Sequence, residues 1–429
     1  MLSQKGGGDE IAPSFFGTQA QRRRWLKQKL FAVPGSPVLL FLYRYVFRLG
    51  FLDGVPGLIY CGFQAVQMFH TKSKIYELRS KKDKPGMCGI SGLVNCGSRE
   101  VLARMTHVQK HRGPDDAGIW EQRFPDGAYI GFGSRRLAIL DLSASGHMPM
   151  TNADRSVCIT YNGEVYNFRE LRGELEGKGY QFFSDTDTEV VLHLYEEEGP
   201  ECVRRLNGIF AFAICDTRSG TSVVFAARDH FGVKPFYYWY RGRQVAFASE
   251  VKALLEVPGI AAELDWEALH QYLTFLWVPD PKTMFRGIFK LPTGHYALLK
   301  AGELVVTKYW DLTFPSKEHL YSRSEEDLAE EIRERFRRSV EAQMVSDVPI
   351  GAFLSAGLDS SSIVAMMTGA TMQPVRTYTI TFPRKYRVGE TALDNPAVAA
   401  RLARHLGCEN EQIVVEPNVA ELLPGENRV

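Results

Sequence analysis

Met87-Cys88-Gly89-Ile90-Ser91-Gly92 places a cysteine directly after a methionine, at the head of a run (89–94) that reads as a strand. Glycines in such a run let a second group come close to the backbone. Further expected strands lie at 131–140, 157–162, 210–216, 222–228, 236–240 and 245–248, with helical patterns over 100–109, 168–176 and 188–198. Many strands with few helices between them predict an α+β domain over residues 87–255. Its strands would form stacked antiparallel sheets flanked by helices rather than βαβ units.

Downstream, a helix over 266–275 and a hairpin-like 296–310 make an expected connecting region, residues 256–323. A charged amphipathic helix is expected over 324–344. The order then becomes strand, Gly-rich turn, helix, strand, helix, strand over 349–354, 359–368, 376–382, 392–406 and 411–415. That alternation predicts a parallel α/β sheet in a last domain, residues 324–429.

Residues 1–86 have a different texture. The basic run Arg22-Arg23-Arg24-Trp25-Leu26-Lys27-Gln28-Lys29 leads into an aromatic and aliphatic stretch over 38–69. Arg44, Arg48 and Asp53 interrupt it, and Gly50, Gly54, Pro56 and Gly57 break it. A membrane span needs roughly 18 or more uninterrupted apolar residues, so none is expected. Peripheral contact of residues 22–69 with an anionic membrane surface, or packing on another domain, fits equally well.

The 429 residues carry a net charge of +1, which gives no reason to expect nucleic acid as a partner. Cys61, Cys88, Cys96, Cys158, Cys202, Cys215 and Cys408 are scattered, odd in number and lack a CxxC pair. Neither a disulfide framework nor structural zinc is expected, and a reducing cytoplasm is. No secretory signal is read over residues 1–17.

One of these cysteines has company suited to a glutamine substrate. Ser134-Arg135-Arg136-Leu137-Ala138-Ile139-Leu140-Asp141 offers an arginine fork for an α-carboxylate. Tyr161-Asn162-Gly163-Glu164-Val165-Tyr166-Asn167 ends a strand in Asn-Gly, whose amide and backbone N–H could form an oxyanion hole. Asp185-Thr186-Asp187-Thr188-Glu189 supplies carboxylates for an ammonium at a helix start. Singly, each has an ordinary structural reading: a turn, a helix cap, a surface ion pair.

With Phe210-Ala211-Phe212-Ala213, Arg228-Asp229-His230-Phe231-Gly232 and Ser249-Glu250-Val251-Lys252-Ala253-Leu254, these segments resemble a class II glutamine amidotransferase domain of the N-terminal-nucleophile type. The half that follows makes the asparagine synthetase family the nearest resemblance, from Met87 to the end. The resemblance implies Cys88 as nucleophile, with Asn162 and Gly163 as oxyanion hole. Arg136 would hold the glutamine carboxylate, beside the backbone of Leu137, Ala138, Ile139 and Leu140. Glu164 and Asp187 would receive the substrate's polar end, Asp187 facing its ammonium. The base would be the α-amino group of Cys88 itself, so His111 is expected to be structural. A peptide nitrogen cannot accept that proton, and 87 residues precede Cys88. Activity therefore calls for a start at Met87 followed by its removal, or for cleavage. The chain as printed is expected to be a poor glutaminase.

Gly351-Ala352-Phe353-Leu354-Ser355-Ala356-Gly357-Leu358-Asp359-Ser360-Ser361-Ser362 reads as strand, small-residue turn and helix, a shape that can cradle phosphate. It lacks the Gly-Lys-Ser/Thr of a Walker loop. It resembles the Ser-Gly-Gly-x-Asp-Ser loop of ATP pyrophosphatases, with Ala356 in place of a glycine. By resemblance Ser355, Gly357, Asp359, Ser360 and Ser361 would meet ATP, Leu354 and Ile380 would flank its adenine, and Asp359 would lie near Mg²⁺.

The implied activity is a glutamine-hydrolysing asparagine synthase that converts aspartate through an aspartyl-AMP intermediate, with ammonia delivered through an internal tunnel. The later family segments do not follow Ser361 before Val429, so a fragment is expected, and a homodimer remains open. Residues 1–86 resemble the C-terminal tail of family-2 glycosyltransferases without their catalytic part. That tail motivates two alternatives: an amidotransferase acting on a sugar or peptide carboxylate in surface-polysaccharide biosynthesis, and a non-catalytic membrane-tethered scaffold.

Overall fold

The structure, a computed structural model, describes residues 87–125, 127–314, 324–355, 357–383 and 396–415. The stretch 22–69 and Ala356 lie outside these, and with them the membrane-contact reading and the question of the replaced glycine. Among the described residues no helix is long and apolar enough to cross a membrane. The chain divides into two compact units, with a boundary between Ile350 and Gly351.

The first unit holds two six-stranded antiparallel sheets. One contains β1 (Gly89–Val94), β2 (Asp116–Arg123), β3 (Tyr129–Arg136), β8 (Tyr237–Arg241), β9 (Gln244–Ala248) and β10 (Ile288–Lys290), in the order β10-β8-β9-β1-β3-β2. The other contains β4 (Met150–Thr151), β5 (Val157–Val165), β6 (Gly208–Asp216), β7 (Val223–Arg228), β11 (His295–Lys300) and β12 (Glu303–Lys308), in the order β12-β11-β7-β6-β5-β4.

Period-2 alternation explains how the sheets stack. Along β6, Phe210, Phe212 and Ile214 face one core, while Ala211, Ala213 and Cys215 face another. The second core lies between the sheets, where these small side chains meet Ile90, Phe132 and Phe247 of the first sheet. Small residues on one sheet admit large ones from the other, which keeps the packing dense. Gly92 is part of this fit, because a Cβ there would run into the Phe247 ring.

Each outer face is covered by helices. α1 (Arg99–His107) and the short α4 (Val251–Leu254) bury Leu102, Met105 and Leu254 against Leu93 and Ala246 of the first sheet. α2 (Phe168–Gly177) and α3 (Asp187–Glu198) bury Leu171, Leu175, Val190, Val191 and Leu194 against the second. The result is helix, sheet, sheet, helix.

Several elements differ from the reading of the sequence. β2 was not expected, since Asp116–Arg123 is half exposed and carries little apolar alternation. β3 stops at Arg136, and 137–140 leave the sheet as a loop. β5 runs on to Val165, so Asn162-Gly163 sits inside a strand rather than ending one. β10, β11 and β12, expected in a connecting region, hydrogen-bond into the two sheets. α5 (Trp266–Phe275) and α6 (Glu325–Ala342) follow the expected helices, and Ser324 caps the latter by accepting from the Asp327 N–H at 3.1 Å.

The second unit holds a parallel sheet, β13 (Gly351–Phe353), β14 (Arg376–Thr381) and β15 (Glu409–Val414), in that order. α7 (Leu358–Ala370) and α8 (Pro396–His405) supply the crossovers, burying Val364, Ala399 and Ala403 against Leu354.

α3 is enclosed on all sides from Asp187 to Tyr195, which brings a charged cluster inside. His193, 6% exposed, sits 2.6 Å from Glu196 and 3.6 Å from Glu189. Burial opposes the imidazolium, but the two carboxylates outweigh it and lift its pKa to about 9. A cation raised above its unfolded value stabilises the fold fully below about pH 6.5 and stops doing so as pH rises through about 9. His193→Gln should therefore lower the thermal midpoint near pH 6, by the equivalent of about 2 kcal/mol, and leave it unchanged above pH ~9.5. Melting curves across pH check this.

Candidate active site

Antiparallel register decides where the thiol goes. Gly89 pairs with Arg135, so the residue before β1 lies beside the residues that follow β3. The Leu137 N–H accordingly donates to Cys88 Sγ at 3.3 Å. From behind, Arg112 Nε donates to the Cys88 carbonyl at 3.0 Å, and its Nη1 pairs with Glu250 at 3.3 Å. His111 also binds Glu250, at 2.8 Å, which agrees with a structural role and keeps it away from the thiol.

A single cleft gathers Cys88, Arg136, Leu137, Ile139, Leu140, Asn162, Gly163, Glu164 and Asp187. Ala138, expected beside them, does not line it; its N–H is bound by Asp115 at 2.9 Å.

Asn162 is buried, yet among the described residues neither its Nδ2 nor its Oδ1 has a hydrogen-bond partner. A buried amide left unpaired is costly and calls for an explanation. Its place on the cleft wall supplies one: a bound polar group would satisfy it. Gly163 is required for a reason the sequence did not suggest, because a Cβ there would press on Ile209 and Phe210 of β6.

Arg136, 6% exposed, spends most of its fork on the loop it precedes. Its Nη2 donates to the Leu140 carbonyl at 2.9 Å and the Asp141 carbonyl at 2.6 Å, and Nη1 to that of Ser143 at 3.4 Å. Among the described residues its Nε–H and second Nη1–H meet no acceptor. Asp141 turns the loop through φ 52°, a conformation aspartate tolerates better than most residues. Asp347 then clamps the loop, accepting from the Asp141 N–H at 2.7 Å and donating its own N–H to the Ile139 carbonyl at 3.0 Å.

Asp187 opens α3, whose cap Thr186 accepts from the Glu189 N–H at 3.3 Å. The Glu189 carboxylate reaches back beyond the cap to the N–H groups of Phe183 and Ser184 at 2.8 and 2.7 Å. Asp187 is 5% exposed and accepts from Tyr161 Oη at 2.6 Å and the Val165 N–H at 2.8 Å. Burial, opposed by these hydrogen bonds, pushes its pKa up to about 6. Burial also raises Glu164, with Lys234 pulling it back.

Burial raises the Cys88 thiol as well, against the Leu137 N–H, Lys234 and Arg136, which favour the thiolate; Asp187 opposes it. Cys96 and Cys215 are pushed up to about 11 and about 12 with no cation nearby to counter burial.

In the second unit, Ser355, Gly357 and Asp359 are exposed at the head of α7. The Gly357 N–H and the Ser360 hydroxyl bind Ser355 Oγ at 3.1 and 2.9 Å, while Ser361 Oγ donates to the Gly357 carbonyl at 2.6 Å. No side chain caps α7, which leaves its N-terminal N–H groups directed outward. Ile380 is half-buried. Leu354 is 1% exposed and packs in the core, with its N–H bound to the Tyr378 carbonyl and its own carbonyl to Thr379. It could meet a nucleotide only through its backbone.

Residues 87–310 match the model of the glutamine amidotransferase domain. The chain belongs to the glutamine amidotransferase family. Residues 331–425 match the asparagine synthase model. Among relatives, asparagine synthetase (glutamine-hydrolyzing) 1 of Bacillus subtilis strain 168 is 37% identical over 341 residues, 77% of this chain and 50% of that protein. Asparagine synthetase (glutamine-hydrolyzing) 3 of the same organism is 38% identical over 308 residues, 69% of this chain and 48% of that one. The chain spans about half the length of these curated relatives. Among solved structures, glutamine phosphoribosylpyrophosphate amidotransferase from B. subtilis aligns with 76% of this chain and 81% of its own, at 16% identity and a TM-score of 0.40.

Reading the sequence missed several groups in this amidotransferase cleft: Met87, Met148, Tyr161, Thr186, Thr188 and Lys234. Thr186 and Thr188 flank Asp187, so their nearness was legible. Lys234 was not, because it lies 146 residues beyond Cys88, just past the Arg228-Asp229-His230-Phe231-Gly232 segment, and nothing in the sequence directs it to the thiol. Arg112 was visible in His111-Arg112-Gly113-Pro114-Asp115 but had no stated role.

Gly146 packs so closely under Arg136 that a Cβ would run into its guanidinium. Gly146→Ala should destabilise the protein by about 1–3 kcal/mol. Gly173→Ala, in α2 with open space around it, should stabilise by about 0.5–1 kcal/mol. Chemical denaturation of the two variants checks both signs.

Proposed function

We propose that the cleft hydrolyses glutamine to glutamate and ammonia with Cys88 as nucleophile. The carrying observation is an enclosed thiol beside an unpaired Asn162 amide, between an arginine and a buried aspartate. Glutamine would lie with its α-carboxylate on the free edge of Arg136 and its ammonium against Asp187 and Glu164. Its side-chain amide would then reach Cys88.

Sγ attacks the amide carbon, forming the S–C bond, and the oxygen that becomes negative is met by Asn162 Nδ2 and the backbone at Gly163. The C–N bond breaks as the nitrogen takes a proton and leaves as ammonia. Water then cleaves the γ-glutamyl thioester. The base is the α-amino group of Cys88, whose ordinary pKa near 7.7–8.0 suits proton transfer at neutral pH. Met87 in peptide linkage blocks this role; it is exposed, which supports its removal. We place this domain from Met87 through the strands ending at Lys308.

We further propose that the longer protein passes the ammonia to aspartate, as an asparagine synthase. The turn before α7 suits a polyphosphate, since it offers hydroxyls and uncapped N–H groups. Ser355, Gly357, Ser360 and Ser361 would hold ATP, with Ile380 and the Leu354 backbone near its base. The chemistry ATP supplies there is activation of the aspartate carboxylate. Among the described residues no group of three or more His, Cys, Asp or Glu gathers as a metal site. Asp359 would lie near Mg²⁺ carried by those phosphates.

A chain beginning at Cys88 should release glutamate from glutamine. Cys88→Ala should abolish the release, and Asn162→Ala should lower kcat by about 10²–10³. A Cys88-start chain without glutaminase activity sinks the reading. Because Asp187 must be ionised to receive an ammonium, kcat/KM should also fall as pH drops through about 6. A pH–rate profile that stays flat to pH ~5 contradicts that role.

A further inference from the structure

Lys234 ends the turn that follows β7, and one carboxylate organises that turn. Asp229 accepts the N–H groups of Phe231, Val233 and Lys234 at 3.1, 3.0 and 3.0 Å, and that of Phe210 at 3.2 Å. Gly232 completes it with φ 65°. The backbone of Lys234 is thus anchored to β6, and its side chain enters the amidotransferase cleft.

The lysine is 7% exposed, and its Nζ donates to Met87 Sδ at 3.7 Å. No carboxylate of the described residues forms an ion pair with it. A thioether is a weak acceptor, so an ammonium has been withdrawn from water without a counter-charge in contact. Burial lowers its pKa accordingly. Charged groups face it from every neighbouring element: Glu164 of β5, Asp229 of its own turn, Arg112 after α1, and Cys88 itself. The thiol in turn faces Lys234, Arg136 at the end of β3, Asp187 of α3 and the Tyr161 hydroxyl. One of these partners, Asp187, is a carboxylate that opposes a thiolate, while Arg136 is committed to loop carbonyls.

We propose that Lys234 is a positioning residue of the glutaminase cleft. Its enclosed, unpaired Nζ supplies the fixed positive charge against which the Cys88 thiolate and the negative charge of the reaction develop. Once Met87 is gone, the same charge stands near the freed α-amine and favours its neutral, proton-accepting form. This rests on the reading of Cys88 as the nucleophile. The test does not need turnover, so the two can fail separately.

The full chain is labelled with iodoacetamide from pH ~7 to ~11, and alkylation of the Cys88 peptide is followed by mass spectrometry. In Lys234→Met the midpoint should move up by about one pH unit; in Lys234→Arg it should stay. An unchanged midpoint in a Lys234→Met protein with native circular dichroism overturns the proposal. Lys234→Gln carries the same two outcomes if Lys234→Met does not fold.

Discussion

The antiparallel pairing of β1 with β3 is the constraint on which the cleft depends. A slip of one residue would turn Ile90 and Val94 out of the inter-sheet core and push Leu93 into it. Both faces of β1 are buried, so both resist the slip. Gly92 adds a steric lock against Phe247. With the register held, Cys88 can only fall beside Leu137 and in front of Arg112, whatever the loops do.

The loops are then fixed by buried polar groups rather than by apolar packing. Arg136 and Asp347 hold residues 139–143 through backbone carbonyls and N–H groups, Glu189 holds the approach to α3, and Asp229 holds the turn ending at Lys234. Hydrogen bonds to charged groups are the stronger kind, and losing one inside the protein leaves a buried group unsatisfied. The price is paid in desolvation, visible in the raised carboxyls of Glu164 and Asp187.

Electrostatic layout separates Cys88 from the other cysteines. Cys158, Cys202 and Cys215 are as deeply enclosed, but they lie among strands and helices of the core with no cation beside them. Enclosure alone makes a thiol inert. What distinguishes Cys88 is enclosure at a cleft wall, with Lys234 and Arg136 near.

Much of this was legible in the chain itself. The run 210–216 reads as a strand, and the order Cys88, Arg136, Asn162, Asp187 marks the candidate site, because motif residues are local and carry their chemistry with them. β2 escaped because its half-exposed residues show little alternation, and β10 to β12 were set apart because short strands reveal nothing of their partners. Neither Lys234 nor Asp347 could be assigned to the cleft from sequence, since each gets there through contacts between distant segments. Residue identity determines which groups are able to ionise, attack or donate. Only the tertiary structure decides which of them share a low-dielectric space, because proximity and burial are properties of packed sheets and not of spacing along a chain.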